Sequence, residues 1–416
     1  AVNNFVMLMI IVIAFLLLFL YDKKLAFNIF VFYSIFDPGF PIVRGFVNFI
    51  LSDLILCIFL IDMIKDKYLI SNFKQYIPKF LIVFFLGYHL LTCLMQEPSH
   101  IMYYILVVVR ALGVFLVFIN YVKTEQQLLN FAKVLIGAII LQFSYSLIEA
   151  VLTINPIADY FDKITGSAFS ELSDIRYGLN RAQASLRHAT TNSYVALIFM
   201  SILSILFNLG LGNKKKYTVL AYCCLGTIFL TGVRSTIISG LIVLISFINL
   251  RKIRKIFPVL IVGCVVLYFI PQDYLTEIYE SYTDTESVSG SSTDMRLLQF
   301  LKSFSIMQQS IVWGLGANSF SLYKDFIFGA ESVWFQLMID FGTMGVLFYF
   351  CLIIRCLKEG ILLFKQTHEI YLLLIFIALF ITNSMTSLPG YNPTTYSVGV
   401  LFLISVIYKK AKKYKQ

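Results

Sequence analysis

The sequence predicts an all-α integral membrane protein, and three observations carry that expectation. Hydrophobic residues fill 59% of the 416 positions and charged residues only 13%, with a mean hydropathy of +0.83. A soluble domain this apolar would precipitate, whereas a chain crossing the bilayer many times needs this balance. Apolar runs of spanning or near-spanning length recur along the whole chain. The formal net charge of +10 is concentrated in every second loop, which is positive-inside topology and not a nucleic-acid footprint.

Taken in order, the apolar runs lie at about 4–21, 42–63, 80–96, 101–121, 134–153, 191–210, 218–232, 234–250, 256–271, 331–354, 371–387 and 394–408. A weaker run at 25–36, before Asp37-Pro38-Gly39, is either a short span or re-entrant, and the side of the N-terminus depends on it. The expectation is therefore about 12–13 transmembrane helices forming one membrane domain over 1–416. Several runs are short enough to require local bilayer thinning or snorkelling flanks. The start has neither the charged flank nor the cleavage site of a secretory leader. No fixed-period repeat, low-complexity tract or soluble domain interrupts the pattern. From Lys65 onward the outer segments are the turn Gln96–His100, a long loop at about 154–190, the turn Thr231–Arg234, a second long loop at about 272–330, and Ser387–Pro393. The seven cysteines fall in apolar runs or on the cytosolic side, so neither disulfides nor a CxxC metal site is expected.

Residue type sharpens the charge pattern. Of 33 basic residues, 23 sit in the cytosolic clusters, and only three of those are Arg (Arg251, Arg254, Arg355). Seven of the other ten are Arg: Arg44, Arg110, Arg176, Arg181, Arg187, Arg234 and Arg296. Lys satisfies positive-inside topology as well as Arg does, so orientation does not explain the bias. The planar guanidinium grips phosphate oxygens two at a time, and an outer face rich in Arg suits a lipid-linked phosphate or diphosphate.

Candidate site residues follow, each with its plainer alternative. Arg176, Arg181, Arg187 and His188 close the first long loop; they hold an anionic or sugar group, or they snorkel and pair within loops. Thr190 or Asn192 is the expected cap of the helix that follows. Arg234 lies in FLTGVRSTIISG, where it clamps a diphosphate or anchors the turn at the headgroups. Arg110, inside an apolar run, costs about 2.5–3.5 kcal/mol to insert, so it must face a cavity or a carboxylate, with Glu149 and Asp53 as the available partners. Asp340 faces the same choice. In the second long loop Leu297, Phe300, Leu301, Phe304 and Met307 recur at helical spacing, predicting an amphipathic helix that lies on the membrane or caps a cavity, with Arg296 at its start. Trp313 to Asn318 is a Gly-x-Gly turn built for close backbone approach. Glu331, at the start of the next helix, is a general-base candidate or a carboxylate favoured by the helix dipole. No nucleotide loop, HExxH, GxSxG or DxD pair is present, so neither metal nor cofactor is expected.

These motifs, in order LTGVRSTIISGL, STDMRLLQFLKSF, WGLGANSF and ESVWFQLMIDFGTMG, resemble the O-antigen ligase/polymerase superfamily over about 179–347. The resemblance implies a GT-C-like glycosyltransferase that moves a glycan from a polyprenyl diphosphate onto an acceptor hydroxyl at the outer face of the bacterial cytoplasmic membrane, inverting and metal-independent. By position Arg181, Arg234 and Arg296 would hold the diphosphate and stabilise it as leaving group. Glu331, Arg234 and Arg296 are the catalytic candidates; Arg181, Arg187, Arg176, His188, Arg110 and Asn318 are the substrate-binding ones. Ligases of this superfamily carry a His-Asn or His-Ser pair where this chain has Glu331-Ser332, and their first-loop motif continues to Pro-Asn where this chain has His188-Ala189-Thr190. The missing His favours a Wzy-type O-antigen or capsular polymerase, with the ligase acting on lipid A-core as the alternative. A lipid-linked oligosaccharide flippase is a further alternative, weakened because only Arg110, Glu149, Asp53 and Asp340 are expected as buried charges, while the outer loops hold the informative polar groups. Expected partners are the lipid-linked glycan, membrane lipid, and a chain-length regulator and flippase of the same pathway.

Overall fold

A computed structural model describes residues 2–37, 41–43, 49–65, 79–96, 98–165, 175–176, 179–186, 188–248, 293–327, 332–386 and 393–415. Arg44, Arg187, Glu331, the apolar run 256–271 and the first part of the second long loop lie outside these residues. The helices are α1 Val2–Tyr21, α2 Lys23–Phe36, α3 Leu51–Lys65, α4 Lys79–Gln96, α5 Ile101–Tyr121, α6 Glu125–Leu152, α7 Pro156–Thr165, α8 Ala189–Leu209, α9 Lys214–Leu230, α10 Arg234–Ile245, α11 Thr293–Met307, α12 Val333–Thr367, α13 Tyr371–Met385 and α14 Pro393–Lys415. Two short antiparallel pairings interrupt them: β1 Pro41–Val43 with β2 Phe49–Ile50, and β3 Ile175–Arg176 with β4 Leu179–Asn180. The protein is an all-α integral membrane protein. Among the described residues, four helices are long and apolar enough to cross a bilayer: 104–121 of α5, α6, α8 and α12.

Caps written into the sequence set several boundaries. Thr124 and Gln127 form a capping box that starts α6 at Glu125, nine residues ahead of the predicted apolar run. Asp22 starts α2 by accepting from the amides of Lys24 and Leu25. Segment 25–36 is thus a helix, packed on α3 and α6. The run expected as one span over 42–63 is divided: β2 precedes α3, and Asp53 turns its Oδ2 back to the amide of Ile50 at 2.9 Å. A carboxylate that close to the helix start supplies the cap the apolar pattern hides.

The core joins α1 through α6 to α8, α9, α10, α12, α13 and α14 around buried side chains such as Phe59, Leu135, Leu197, Leu206, Ile375 and Ile407. The helix pairs α8–α9, α10–α13 and α12–α13 pack most extensively. Arg110 meets this core as an ion: Nε and Nη2 donate to Asp53 Oδ1 and Oδ2 at 2.7 and 2.6 Å, and the Asp53 side chain is 3% exposed. Of the partners the sequence offered, Asp53 is the one taken, and the bidentate geometry matches the strongest form of the pair. Helix α11 confirms its expected amphipathicity with a definite orientation. Gln299, Ser303, Ile306 and Met307 are buried, while Leu297, Phe300, Leu301 and Phe304 are exposed. Met307 therefore belongs to the inner face, packed with Ile327, Phe335 and Ile339, and the outer apolar stripe is what a helix bathed in lipid presents.

Breaking the Arg110–Asp53 pair from one side leaves an uncompensated buried charge, which costs about 3–5 kcal/mol. Arg110→Ala or Asp53→Ala should each lower the detergent-solubilised melting temperature, and Arg110→Leu/Asp53→Leu should recover most of the loss. Single variants that melt like the parent would rule out the structural pair.

Candidate functional site

The site is built on a break in a membrane helix. Within α12, Gly342 has φ +60° and ψ −158°, which no helix residue adopts. The break strands peptide groups, and the Gly-x-Gly turn of the second long loop takes them up. Leu315 and Gly316 donate their amides to Ile339 O and Asp340 O at 2.8 and 3.0 Å, and Thr343 donates to Ile311 O at 2.8 Å. Tyr88 of α4 closes the gap by donating its hydroxyl to Phe341 O at 2.9 Å and Val312 O at 3.0 Å, with its ring stacked on Trp313. The contact tolerates no side chain. A Cβ on Gly314, at φ +74°, would lie 2.4 Å from Phe341 N, and one on Gly342 would lie 2.7 Å from Gly314 N.

Asp340, fully buried beside the break, holds the rest of the turn. Its Oδ1 accepts from Phe320 N at 2.6 Å, and its Oδ2 accepts from Asn318 N at 3.1 Å and from Gln336 Nε2 at 3.2 Å. Its role is a cap on a loop, a third possibility beside the ion pair and substrate contact read from sequence. Asn318 adopts the left-handed conformation at φ +71°, and its carbonyl accepts from Ser321 Oγ at 2.7 Å.

The first long loop is tied down in the same way. Glu149, buried in the last turn of α6, accepts from the amides of Gln183 and Ala184 at 3.0 and 2.7 Å and from Asn155 Nδ2 at 2.8 Å. Asn192 of α8 donates to Ala182 O and Ser146 Oγ, both at 3.0 Å. The cap of α8 is His188, whose Nδ1 accepts from Thr190 N at 3.1 Å. Neither Thr190 nor Asn192 is the cap; Asn192 is needed one turn deeper to hold the loop backbone.

The anchored loop carries Arg181 to the turn between α9 and α10. Arg181, 8% exposed, donates from Nε to Thr231 O at 2.9 Å, and Ala182 N donates to Leu230 O at 3.0 Å. Three residues on, Arg234 opens α10. Ser235 meets Thr386 hydroxyl to hydroxyl, and Ser239 and Thr382 continue the seam between α10 and α13 at 2.7 Å. Arg296 donates from Nη1 to Met385 O at 3.1 Å, at the end of α13. The start of α12 joins them, because Trp334 Nε1 donates to Ser384 Oγ at 2.9 Å and Ser332 caps the helix. The starts of α10, α11 and α12 and the ends of α9 and α13 thus meet at one end of the bundle, with Arg181, Arg234 and Arg296 among them. Arg110 pairs with Asp53 on a different set of helices. Arg176 lies in β3, paired with Leu179 of β4. Arg187 and Glu331 lie outside the described residues, Glu331 immediately before the Ser332 cap.

Sequence reasoning did not assign Glu149, Asn192, Tyr88 or Thr386 these positions. A buried carboxylate in a membrane helix is a visible signal, but its partners here are backbone amides, which no side-chain pattern announces.

Residues 218–350, about a third of the chain, match the family model described as O-antigen ligase, which supports the resemblance to the O-antigen ligase/polymerase superfamily. The matched stretch includes α10, the turn, the break in α12 at Gly342, and both Arg234 and Arg296. No curated protein matches the chain.

Substituting Gly314 or Gly342 by Ala adds both a positive-φ penalty and an overlap with backbone, together about 2–5 kcal/mol. Each variant should show a large drop in melting temperature, and parent-like melting would mean that the turn does not interlock with the helix break.

Proposed function

We propose that the chain is a polymerase that joins polyprenyl-diphosphate-linked oligosaccharide repeat units into O-antigen or capsular polysaccharide at the outer face of the cytoplasmic membrane. The observation that carries this reading is the meeting of Arg181, Arg234 and Arg296 at one end of the bundle. That end lies opposite the lysines: α9 runs from Lys214–Lys216 to Thr231, α6 from Lys123 to Glu149, and α12 from Ser332 to Lys358 and Lys365. Positive-inside topology puts lysine ends in the cytosol and the arginine end outside.

In the proposed reaction the guanidinium groups of Arg234 and Arg296, with Arg181 beside them, bind the diphosphate of the donor. The acceptor sugar hydroxyl attacks the anomeric carbon from the face opposite the diphosphate, and the bond from that carbon to the phosphate-linked oxygen breaks. The electron pair leaves with polyprenyl diphosphate, whose growing charge the arginines stabilise. The hydroxyl proton passes to the Glu331 carboxylate. Inversion at the anomeric carbon follows from single displacement. Arg176, Arg187, His188 and Asn318 are proposed to line the glycan path, while Arg110 acts through its pair with Asp53.

A second reading, the ligase, is favoured by the wording of the matched family, and glycan transfer to lipid A-core would use the same arginines. The chemistry divides the two. Purified protein given only a defined lipid-linked repeat unit should build a ladder of longer lipid-linked glycans; product formed only when lipid A-core is added would replace the polymerase reading with the ligase. Arg234→Ala and Arg296→Ala should each cut ladder formation by about 100- to 1000-fold while membrane insertion stays at the parent level. Full ladders from both variants would remove the arginine mechanism.

A further inference from the structure

At the opposite end of the molecule a cavity of about 300 Å³ opens between the start of α2, the end of α3 and the turn joining α5 to α6. Three lysines line it, Lys23, Lys24 and Lys123, against one carboxylate, Asp62. That carboxylate is already engaged: Oδ1 accepts from Lys23 Nζ and Oδ2 from Tyr121 OH, both at 2.7 Å. Among the described residues neither Lys24 nor Lys123 forms an ion pair. The lining side chains therefore carry more positive than negative charge, with Asp22 and Glu125 as further carboxylates at the starts of α2 and α6. Asn28 and Asn120 add amides able to serve phosphate oxygens.

Helices α2 and α6 begin here while α1, α3 and α5 end here, so the helix dipoles oppose one another and the positive excess rests on the lysine side chains. The end of α5 is met by Lys410, a buried residue that reaches across from α14 to donate its ammonium to Ile119 O at 3.0 Å and to Val122 O. The surroundings say what kind of anion fits. Within one turn of the lining residues, Leu20, Leu25, Ile61 and Ile64 are exposed at 75%, 45%, 57% and 76%. An anion arriving there with hydrocarbon chains attached buries those side chains, and a soluble anion leaves them bare. Basic pockets between helices on the cytosolic side are a recognised form of lipid headgroup site.

We propose that this cavity binds the phosphate ester of an anionic phospholipid headgroup from the cytosolic leaflet, with Lys24 and Lys123 as the cationic contacts and acyl chains along the exposed apolar flank. The site stands apart from the glycosyl-transfer reading and holds or fails without it.

The test is native mass spectrometry of the purified full chain in detergent, titrated with phosphatidylglycerol or phosphatidylcholine. One phosphatidylglycerol should be retained per chain at least about tenfold more tightly than phosphatidylcholine. Lys24→Gln and Lys123→Gln should each weaken it about fivefold, and together about 25-fold. Asn28→Asp, which adds a carboxylate to the wall and removes no lysine, should weaken it as well. Lys215→Gln/Lys216→Gln, outside the cavity, should bind as the parent does. Monodisperse elution of every variant separates lost binding from lost folding. Equal retention of the two lipids, or parent-like binding by the Lys24/Lys123 double variant, overturns the site. Displacement of the lipid by equimolar glycerol phosphate overturns the lipid assignment in favour of a soluble phosphate ester.

Discussion

A peptide group left without a hydrogen-bond partner costs several kcal/mol in a bilayer, so a membrane helix breaks only where something else takes up its bonds. Helix α12 breaks at Gly342, nine residues from its first, or about 13 Å along its axis. The second long loop enters at that depth, and the Gly314 turn exchanges backbone bonds with both halves of the helix. Loop and helix are therefore one object. Removing the turn would strand the carbonyls of Ile339 and Asp340 and the amide of Thr343, and straightening the helix would strand the amides of Leu315 and Gly316. Everything placed by the loop, including α11 and Arg296, inherits its position from this interlock.

The outer end of the bundle extends the same economy of backbone bonds. Glu149 and Asn192 hold the first long loop by its amides and a carbonyl, much as Asp340 holds the turn at Asn318 and Phe320. Charged groups within the membrane serve here as fixed connectors for irregular backbone, and this role follows from burial: a carboxylate in a low-dielectric site is tolerable where it accepts several hydrogen bonds. The loops that carry the arginines are thereby rigid at their roots.

Much of this was legible in the sequence. Most helix positions, the amphipathic run of α11 and the partner Asp53 of Arg110 follow from hydropathy, charge placement and the expense of an intramembrane ion. The Gly-x-Gly turn was readable as a place of close approach, but not what approaches it, because Gly342 lies in an uninterrupted apolar run with ordinary helix periodicity. The division of 42–63 by a short hairpin was hidden for the same reason: Asp53 reads as an intramembrane charge until its bond to Ile50 N identifies it as a cap. His188 does not announce itself as the cap of α8 because Thr and Asn are the stronger capping types, and Asn192 is drawn away by Ala182 O and Ser146. Side-chain chemistry announces itself in a sequence, whereas partners made of backbone do not.

The arginines differ in what holds them, and the difference bears on what they can do. Asp53 orients Arg110 with two short bonds and cancels its charge in doing so, leaving little field for a ligand. Arg181 and Arg296 each have a bond to a carbonyl, those of Thr231 and Met385, at the ends of α9 and α13. A carbonyl at a helix C-terminus carries only partial negative charge, so that bond by itself orients a guanidinium without cancelling its charge. An electrostatic site needs both properties at once: donors already in place, so that no reorganisation is spent when charge develops, and a field not discharged by its own scaffold. Helix ends supply that combination at the one place in a membrane bundle where backbone carbonyls are available.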